Sequence, residues 1–271
     1  YPFIKLLNGQ VDPYVLALIR YGVASAILAL FVLRSSHVTF PQQKDWALFM
    51  VLGFLGAFTT VLIALGVQYS TASASSILVN TNPLMVVLLA PILIHERTKD
   101  VQLVGVILGI IGIVVVVLNG KALALSAYGA GSILLLGAAM CQAFYAIYMK
   151  PLIRQYGALM TSTAMAVVGF LELVVVVLFR GSMGQVFIFT SGQWLLLFLI
   201  GSVSTAVGSY LWIQSLGKLS ATASTSFKLL IPVFATLYAT VFLGEQLTPW
   251  ILGGMLCTTI GIVLAQSKNL S

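Results

Sequence analysis

The chain has 271 residues, of which 60% are hydrophobic and only 7% are charged, and its formal net charge is +7. Soluble domains carry roughly 25% charged residues, so this composition excludes a soluble fold and indicates an integral membrane protein. The basic excess predicts no nucleic-acid partner, because the lysines and arginines fall in short segments between apolar runs, where they set membrane topology.

In chain order, the sequence predicts nine complete membrane spans after a short apolar fragment at Tyr1–Leu7. A helix needs about 20 mostly apolar residues to cross the hydrocarbon core of a bilayer. The apolar runs are continuous, whereas the strands of a membrane barrel alternate apolar and polar residues, so helices are favoured. The predicted spans are 12–33, 46–69, 71–94, 100–118, 127–149, 159–179, 193–215, 220–243 and 249–266.

The second half of the chain repeats the first. A shift of 149 residues aligns Thr71–Val114 with Ser220–Val263 without a gap, and 13 of the 44 pairs are identical. Each copy holds an odd number of predicted spans, so the two copies cross the membrane in opposite senses. Inverted repeats are typical of secondary transporters, in which the binding site lies near the bilayer midplane between the copies.

The same alignment pairs Lys5 with Lys150, which lies at the end of its predicted helix. The first helix is therefore expected to be truncated here and to bring the number of spans to ten. We predict a single all-α membrane domain, a ten-helix bundle of two inverted five-helix repeats at 1–119 and 127–266.

Orientation follows from the basic residues of the loops, since lysine and arginine accumulate on the cytoplasmic side of a membrane. Only Lys121 and Arg180 fall clearly on one side of the predicted bundle. Eight basic residues fall on the other side: Arg34, Lys44, Arg97, Lys99, Lys150, Arg154, Lys218 and Lys268. We expect both termini to be cytoplasmic, in a multi-pass protein of a plasma membrane that we take to be a bacterial inner membrane.

Three motifs together indicate a family. Phe3-Ile-Lys5 is followed by Leu18-Ile-Arg20-Tyr21, and each half closes with a glycine-rich helix. In both halves a proline precedes a glutamate by 13 residues, as the pairs Pro83/Glu96 and Pro232/Glu245. On these motifs the chain resembles the EamA type of the drug/metabolite transporter superfamily over essentially its whole length. The first copy departs from the pattern, with Ile94-His-Glu96 where the family often has Leu-Gly-Glu.

The resemblance implies two inverted five-helix halves around a central cavity that opens alternately to each side of the membrane. It also implies small metabolites as substrates, often amino acids and their derivatives.

Four ionisable residues lie within predicted spans, where a charge is costly and often functional: Lys5, Arg20, Glu172 and Lys228. For Arg20 we expect substrate binding, with bonding to backbone carbonyls or a helix end as the alternative that it shares with Lys5. Lys228 lies one turn before Pro232, where a missing backbone donor loosens the helix. It is therefore predicted to bind an anionic group, or to pair with Glu172.

Glu172 is predicted to couple transport to protons, because a buried carboxyl group can bind and release a proton as its surroundings change. The alternative is that it only neutralises Lys228. Amide and hydroxyl groups beside Pro83 are predicted to contact a polar substrate, or else to bond neighbouring helices. They belong to Ser76, Asn80 and Asn82.

Polar aromatic faces on two further spans are predicted to line the pocket. Gln142 and Tyr145 share one face, and Tyr210 and Gln214 share another. Structural roles are predicted for the two prolines, for Glu96 and Glu245 in bonding the turn into the next helix, and for a small-residue ridge that lets helices approach closely. The ridge includes Gly105 and Gly109.

We therefore predict a secondary active exporter of small polar metabolites such as amino acids, with phosphorylated metabolites or other organic anions as the alternative. An intramembrane enzyme is disfavoured, because the sequence has no HExxH or GxSxG motif and no pair of carboxylates within its spans. A channel is disfavoured because no filter-like repeat or charged ring is visible. We expect no cofactor and no metal site, and a monomer in the bilayer, with a homodimer as the alternative.

Overall fold

The computed structural model describes residues 2–7, 9–35, 38–93, 100–118, 127–218 and 230–266, and these residues contain helices and no β-strand. The helices in chain order are α1 Pro2–Leu6, α2 Pro13–Arg34, α3 Trp46–Gln68, α4 Ala72–Val79, α5 Asn82–Leu93, α6 Asp100–Leu118, α7 Ala127–Phe179, α8 Ser191–Leu199, a π-helix Ile200–Val207, α9 Gly208–Lys218, α10 Leu230–Leu243 and α11 Pro249–Gln266. Short 3₁₀ turns, Gln43–Asp45 and Ser182–Ile188, precede α3 and α8.

The apolar helices fit a multi-pass membrane protein. Four are long and apolar enough to cross a bilayer, and the longest of them spans 51 residues, Gly129–Phe179. At about 1.5 Å per residue this length exceeds twice the hydrocarbon thickness, so it accommodates two crossings. Gly157 divides it, with φ 75° and ψ 166°. The other three long helices are Pro13–Arg34, Gln43–Gln68 and Ser191–Ser215, and shorter apolar helices are Asp100–Val116, Phe234–Leu243 and Pro249–Ala265.

Most helix bounds follow the predicted spans, and three regions differ. The span expected at 71–94 is interrupted between α4 and α5. The span expected at 193–215 contains the π-helix. The loop expected at 150–158 is a single turn at Gly157, because the first part of α7 continues past Lys150. Of the span expected at 220–243, the structure describes the part from Leu230 onward.

The chain forms two compact units. Unit 1 contains Tyr1–Leu6, Leu65–Ile147 and Ala221–Ser271, and unit 2 contains Leu7–Ala64 and Tyr148–Ser220. Each unit is therefore assembled from segments that are distant in the sequence. The residues of α7 up to Ile147 belong to unit 1, and those from Tyr148 onward belong to unit 2.

In unit 1, α6 packs against α11 through the predicted glycine ridge. A Cβ atom placed on Gly105 would lie 2.3 Å from the backbone nitrogen of Ala265. One placed on Gly261 would lie 2.4 Å from the backbone nitrogen of Gly109. Larger residues at these positions would force the backbones apart, so glycine is required for this approach. Helix α4 packs against α10 in the same unit.

In unit 2, glycines bring α2, α3 and the second part of α7 together. A Cβ atom on Gly169 of α7 would lie 2.8 Å from Cε1 of Tyr21 and 3.1 Å from the carbonyl oxygen of Gly53. Helix α2 also packs against the π-helix. A Cβ atom on Gly201 there would lie 2.8 Å from Cβ of Val23. These contacts hold Arg20 and Tyr21 against three neighbouring elements.

Candidate functional site

Arg20 lies half-buried in the middle of α2, and its guanidinium is held by the π-helix of unit 2. Its Nε donates to Oγ1 of Thr205 at 3.1 Å. The Thr205 hydroxyl in turn donates to the carbonyl of Ile200 at 3.1 Å. Thr205 therefore fixes the position of a cation within an apolar span, where charged side chains commonly mark substrate or ion pathways.

Hydroxyl side chains in and beside the π-helix donate to backbone carbonyls of the same helical run, as serine and threonine often do within helices. Ser202 donates to the carbonyl of Phe198 at 2.7 Å, and Ser209 donates to the carbonyl of Thr205. Segments of π-helix occur often at functional sites, because the extra residue per turn shifts side chains out of the regular register. Our sequence reasoning missed this element and Thr205, although the hydroxyl-rich run Gly201-Ser-Val-Ser-Thr205 within an apolar span was a readable signal.

Tyr21 and Glu172 extend this polar cluster across unit 2. The Tyr21 phenol lies close enough to the Arg20 guanidinium and the Glu172 carboxyl to interact with both electrostatically, and it lies beside the hydroxyl of Thr60 on α3. Oε2 of Glu172 is buried and accepts no hydrogen bond. We call Arg20, Tyr21, Glu172 and Thr205 the unit 2 cluster. The cluster combines the Arg20 guanidinium, held by Thr205, with a Glu172 carboxyl oxygen that can accept a hydrogen bond.

In unit 1 the predicted substrate contacts Ser76 and Asn80 make their hydrogen bonds within their own helix. The Ser76 hydroxyl donates to the carbonyl of Ser73 at 2.8 Å. Nδ2 of Asn80 donates to the carbonyl of Ser76 at 2.7 Å. Both residues are buried. Asn82 is also buried, but its Oδ1 has no hydrogen-bond partner.

Lys5 and Glu245 clamp the turn between α3 and α4. Nζ of Lys5 donates to the carbonyls of Val67 at 2.9 Å and Ser70 at 2.6 Å. The Glu245 carboxylate accepts from the backbone N–H of Ala72 at 2.6 Å and from the N–H and hydroxyl of Ser73 at 3.2 and 2.8 Å. A cation thus caps the C-terminus of α3 and an anion caps the N-terminus of α4, as the helix dipoles favour.

The position of Glu245 follows from the glycine before it. Gly244 ends α10 in the left-handed conformation, with φ 66°, and the Glu245 N–H returns to the carbonyl of Ala239 at 3.1 Å. The bond returns the chain onto the last turns of α10 and fixes the direction in which Glu245 leaves the helix. Our sequence interpretation placed Glu245 on the turn into the next helix, α11. The carboxylate instead bonds the N-terminus of α4, a contact between distant parts of the chain that local sequence does not reveal.

The predicted polar aromatic faces lie in different units. Gln142 and Tyr145 are half-buried in unit 1. In unit 2, Nε2 of Gln214 donates to the hydroxyl of Tyr210 at 3.2 Å, so these two side chains share one face of α9. The Tyr210 ring packs on a small apolar core made by Ala24, Leu28, Ala166 and Ala206.

Other predicted residues lie outside the described part of the chain. They include Lys228 and Glu96, and the side chains of Pro83 and Pro232 are likewise not described. Within the described residues, no three His, Cys, Asp or Glu side chains are grouped as metal ligands.

The EamA-like transporter family model matches residues 1–118 and 129–266 of the chain. The uncharacterized transporter YetK of Bacillus subtilis is 27% identical, over 98% of this chain and 82% of that protein. A protein of Streptantibioticus cattleyicolor described as a "Probable terminal-alkyne amino-acid exporter" is 28% identical, over 94% of this chain and 84% of that protein.

A solved crystal structure shares the fold, with a TM-score of 0.69 at 16% identity, over 97% of this chain and 90% of that one. The family match covers both halves of the chain, and the apolar helices fit a membrane location. The chain belongs to the EamA-like transporter family and is a membrane transporter.

Proposed function

We propose that the protein is a secondary active transporter that exports small polar metabolites, with amino acids or their derivatives as the first class of substrate. Membership of a transporter family supports the transport activity. The printed description of the Streptantibioticus cattleyicolor relative supports an amino acid as the cargo.

The unit 2 cluster is the observation that carries the proposal. A guanidinium binds a carboxylate through paired, charge-assisted hydrogen bonds, and Arg20 is positioned for this by its bond to Thr205. Glu172 presents a buried oxygen without a donor, which suits either the ammonium group of a substrate or a coupling proton. An amino acid has both complementary charges.

Transport is proposed to proceed by alternating access in a ten-helix bundle of two inverted repeats, 1–119 and 127–266, with both termini in the cytoplasm. The repeat in the sequence supports this arrangement. Lys228 is proposed as a further substrate contact together with Asn80, Asn82, Ser76, Gln142, Tyr145 and Tyr210. Glu172 is proposed as the proton-coupling residue, and the protein as a monomer in a bacterial inner membrane.

Organic anions without an ammonium group, such as phosphorylated metabolites, are the second class of substrate that Arg20 would suit, since a guanidinium binds phosphate as well as carboxylate. The nearby Glu172 disfavours this class, because an ionised carboxyl group repels a dianion. An enzyme or a channel remains the least favoured activity for this chain.

Counterflow of labelled amino acids in proteoliposomes tests the proposal. Arg20→Gln removes the charge that binds the substrate carboxylate, and we expect it to lower the transport rate about 10- to 100-fold. The matched control is Arg34→Gln, which removes an exposed arginine at the end of the same helix and leaves transport unchanged. Transport by Arg20→Gln at the wild-type rate would remove Arg20 from the site.

A further inference from the structure

The interruption between α4 and α5 leaves backbone carbonyls without their helical donors. In a regular helix the Val79 carbonyl would accept from residue 83, but Pro83 has no N–H. The Asn80 carbonyl would accept from Leu84, but the Leu84 N–H donates instead to Thr81 at 2.9 Å. The C-terminal end of α4 therefore presents two backbone oxygens that the helix itself does not satisfy.

The N-terminal end of the same short helix shows the opposite state. The N–H groups of Ala72 and Ser73 are bonded by Glu245, and that of Ala74 is bonded by the Thr71 hydroxyl at 3.1 Å. The three N–H groups of the first turn that have no acceptor within the helix are thus satisfied. The backbone groups that lose their helical partners lie at the opposite, negative end of α4.

One buried side chain adds a further acceptor at this end. Asn82 is 3% exposed, and its Oδ1 has no hydrogen-bond partner. The neighbouring polar groups Ser76, Asn80 and Thr81 are bonded to backbone carbonyls, Thr81 to that of Leu78 at 2.6 Å.

Acceptors that the helix itself leaves without donors, at its negative end and within an apolar span, are complementary to a cation. Unwound backbone carbonyls at half-helix ends serve as ligands for cations in other transporter folds. The oxygens named here carry no formal charge, so a monovalent cation fits them better than a divalent one, whose dehydration costs more.

We propose that the α4–α5 break is a binding site for a monovalent cation, either Na⁺ or a primary ammonium group. Its ligands are the carbonyl oxygens of Val79 and Asn80 and Oδ1 of Asn82. The ammonium form of the proposal rests on the proposed function, whereas the Na⁺ form does not.

The test is thermal unfolding of the purified full-length protein in lipid nanodiscs, with NaCl replacing choline chloride at constant ionic strength. Choline has no N–H donor, and its methyl groups keep its charge away from oxygen ligands. We expect NaCl to raise the unfolding midpoint of the wild type in a saturable manner. Asn82→Ala removes one ligand and should raise the NaCl concentration for half of the effect about tenfold.

Two further variants distinguish a specific loss of cation binding from a general loss of structure. Asn82→Asp adds a negative charge to the site and should lower the half-effect NaCl concentration. Thr240→Val removes a hydroxyl of α10 that bonds the Thr236 carbonyl of its own helix, so it should leave the NaCl response unchanged. An Asn82→Ala response equal to that of the wild type would overturn the assignment of Asn82 and the site with it.

Repeating the unfolding experiment with an amino acid in place of NaCl distinguishes Na⁺ from an ammonium group as the bound cation. If NaCl has no effect but glycine raises the midpoint, and Asn82→Ala abolishes that rise, the occupant is the ammonium group. If neither compound shifts the midpoint of the wild type, the proposal is wrong. Stabilisation by Na⁺ in a protein that transports no amino acid would leave the site standing and overturn only the proposed function.

Discussion

The α4–α5 break of unit 1 and the π-helix of unit 2 are two irregular segments within predicted spans, and they differ in their hydrogen bonds. In the π-helix the hydroxyls of Ser202 and Thr205 donate to backbone carbonyls. At the α4–α5 break, Oδ1 of Asn82 remains unpaired. An irregular segment whose polar groups are hydrogen-bonded can hold a neighbouring side chain in place, as Thr205 holds Arg20. An irregular segment with unpaired polar groups is suited to bind a ligand.

Of the substitutions that test this difference, the one expected to have the largest effect is at Thr205. Thr205→Val keeps the shape of the side chain but removes the acceptor for Nε of Arg20. We expect the transport rate in proteoliposomes to fall about tenfold, because an arginine left without this bond no longer holds its orientation. Thr205→Ser restores the hydroxyl and should restore transport.

The control for Thr205 is Ser202→Ala, which removes a hydroxyl that bonds only carbonyls of its own helix. It should transport at nearly the wild-type rate. If Thr205→Val behaves like Ser202→Ala, the π-helix does not position Arg20 for transport.

A smaller effect, on stability, is expected at the satisfied end of α4. Glu245→Gln leaves one oxygen in place of a carboxylate that accepts three hydrogen bonds. We expect the free energy of unfolding to fall by about 1–2 kcal/mol, the usual range for the loss of a helix cap. Thermal unfolding measures it, with Asp100→Asn at the exposed start of α6 as the matched control. Equal midpoints for the two variants would show that the clamp on α4 is not stabilising.

The smallest effect is expected at Pro83. Pro83→Ala supplies an N–H for the Val79 carbonyl, but it also gives the unfolded chain more conformational freedom. These two effects oppose each other, so the free energy of unfolding should change by less than about 1 kcal/mol. The same change satisfies one proposed cation ligand and should weaken the NaCl response of the unfolding midpoint. Pro249→Ala is the control, because the first residue of α11 has no acceptor in its own helix. An unaltered NaCl response in Pro83→Ala would exclude the Val79 carbonyl as a ligand.

Hydropathy was sufficient to predict most of the helices, because an apolar run of spanning length has few other ways to fold in a membrane. The bounds of Asp100–Leu118 and Pro249–Gln266 agree with the predicted spans. The π-helix could not be predicted in this way, because hydropathy does not report which backbone carbonyl each N–H group and each hydroxyl bonds. The turn at Gly157 was expected as a longer loop, because Lys150 and Arg154 are polar residues that the structure places, exposed, on the last turns of a helix.

The candidate site was only partly predictable for a related reason. Arg20 and Glu172 stand out in the sequence because a charged side chain within a membrane span is costly and commonly has a function. Composition cannot show that Ser76 and Asn80 bond their own helix while Ser75 and Asn82 keep unpaired oxygens. Nor can it show that the Tyr21 phenol interacts with both Arg20 and Glu172, since this depends on the close approach of α2 to Gly169.

The unit 2 cluster is proposed as a transport site in which Arg20 binds the substrate and Glu172 couples its transport to protons. The most direct measurement compares, in proteoliposomes, the exchange of labelled amino acid with its net transport driven by a pH gradient, for wild type and Glu172→Gln. We predict that the variant retains exchange but loses the response to the pH gradient, because glutamine cannot bind and release the proton. A pH response equal to that of the wild type would contradict the claim.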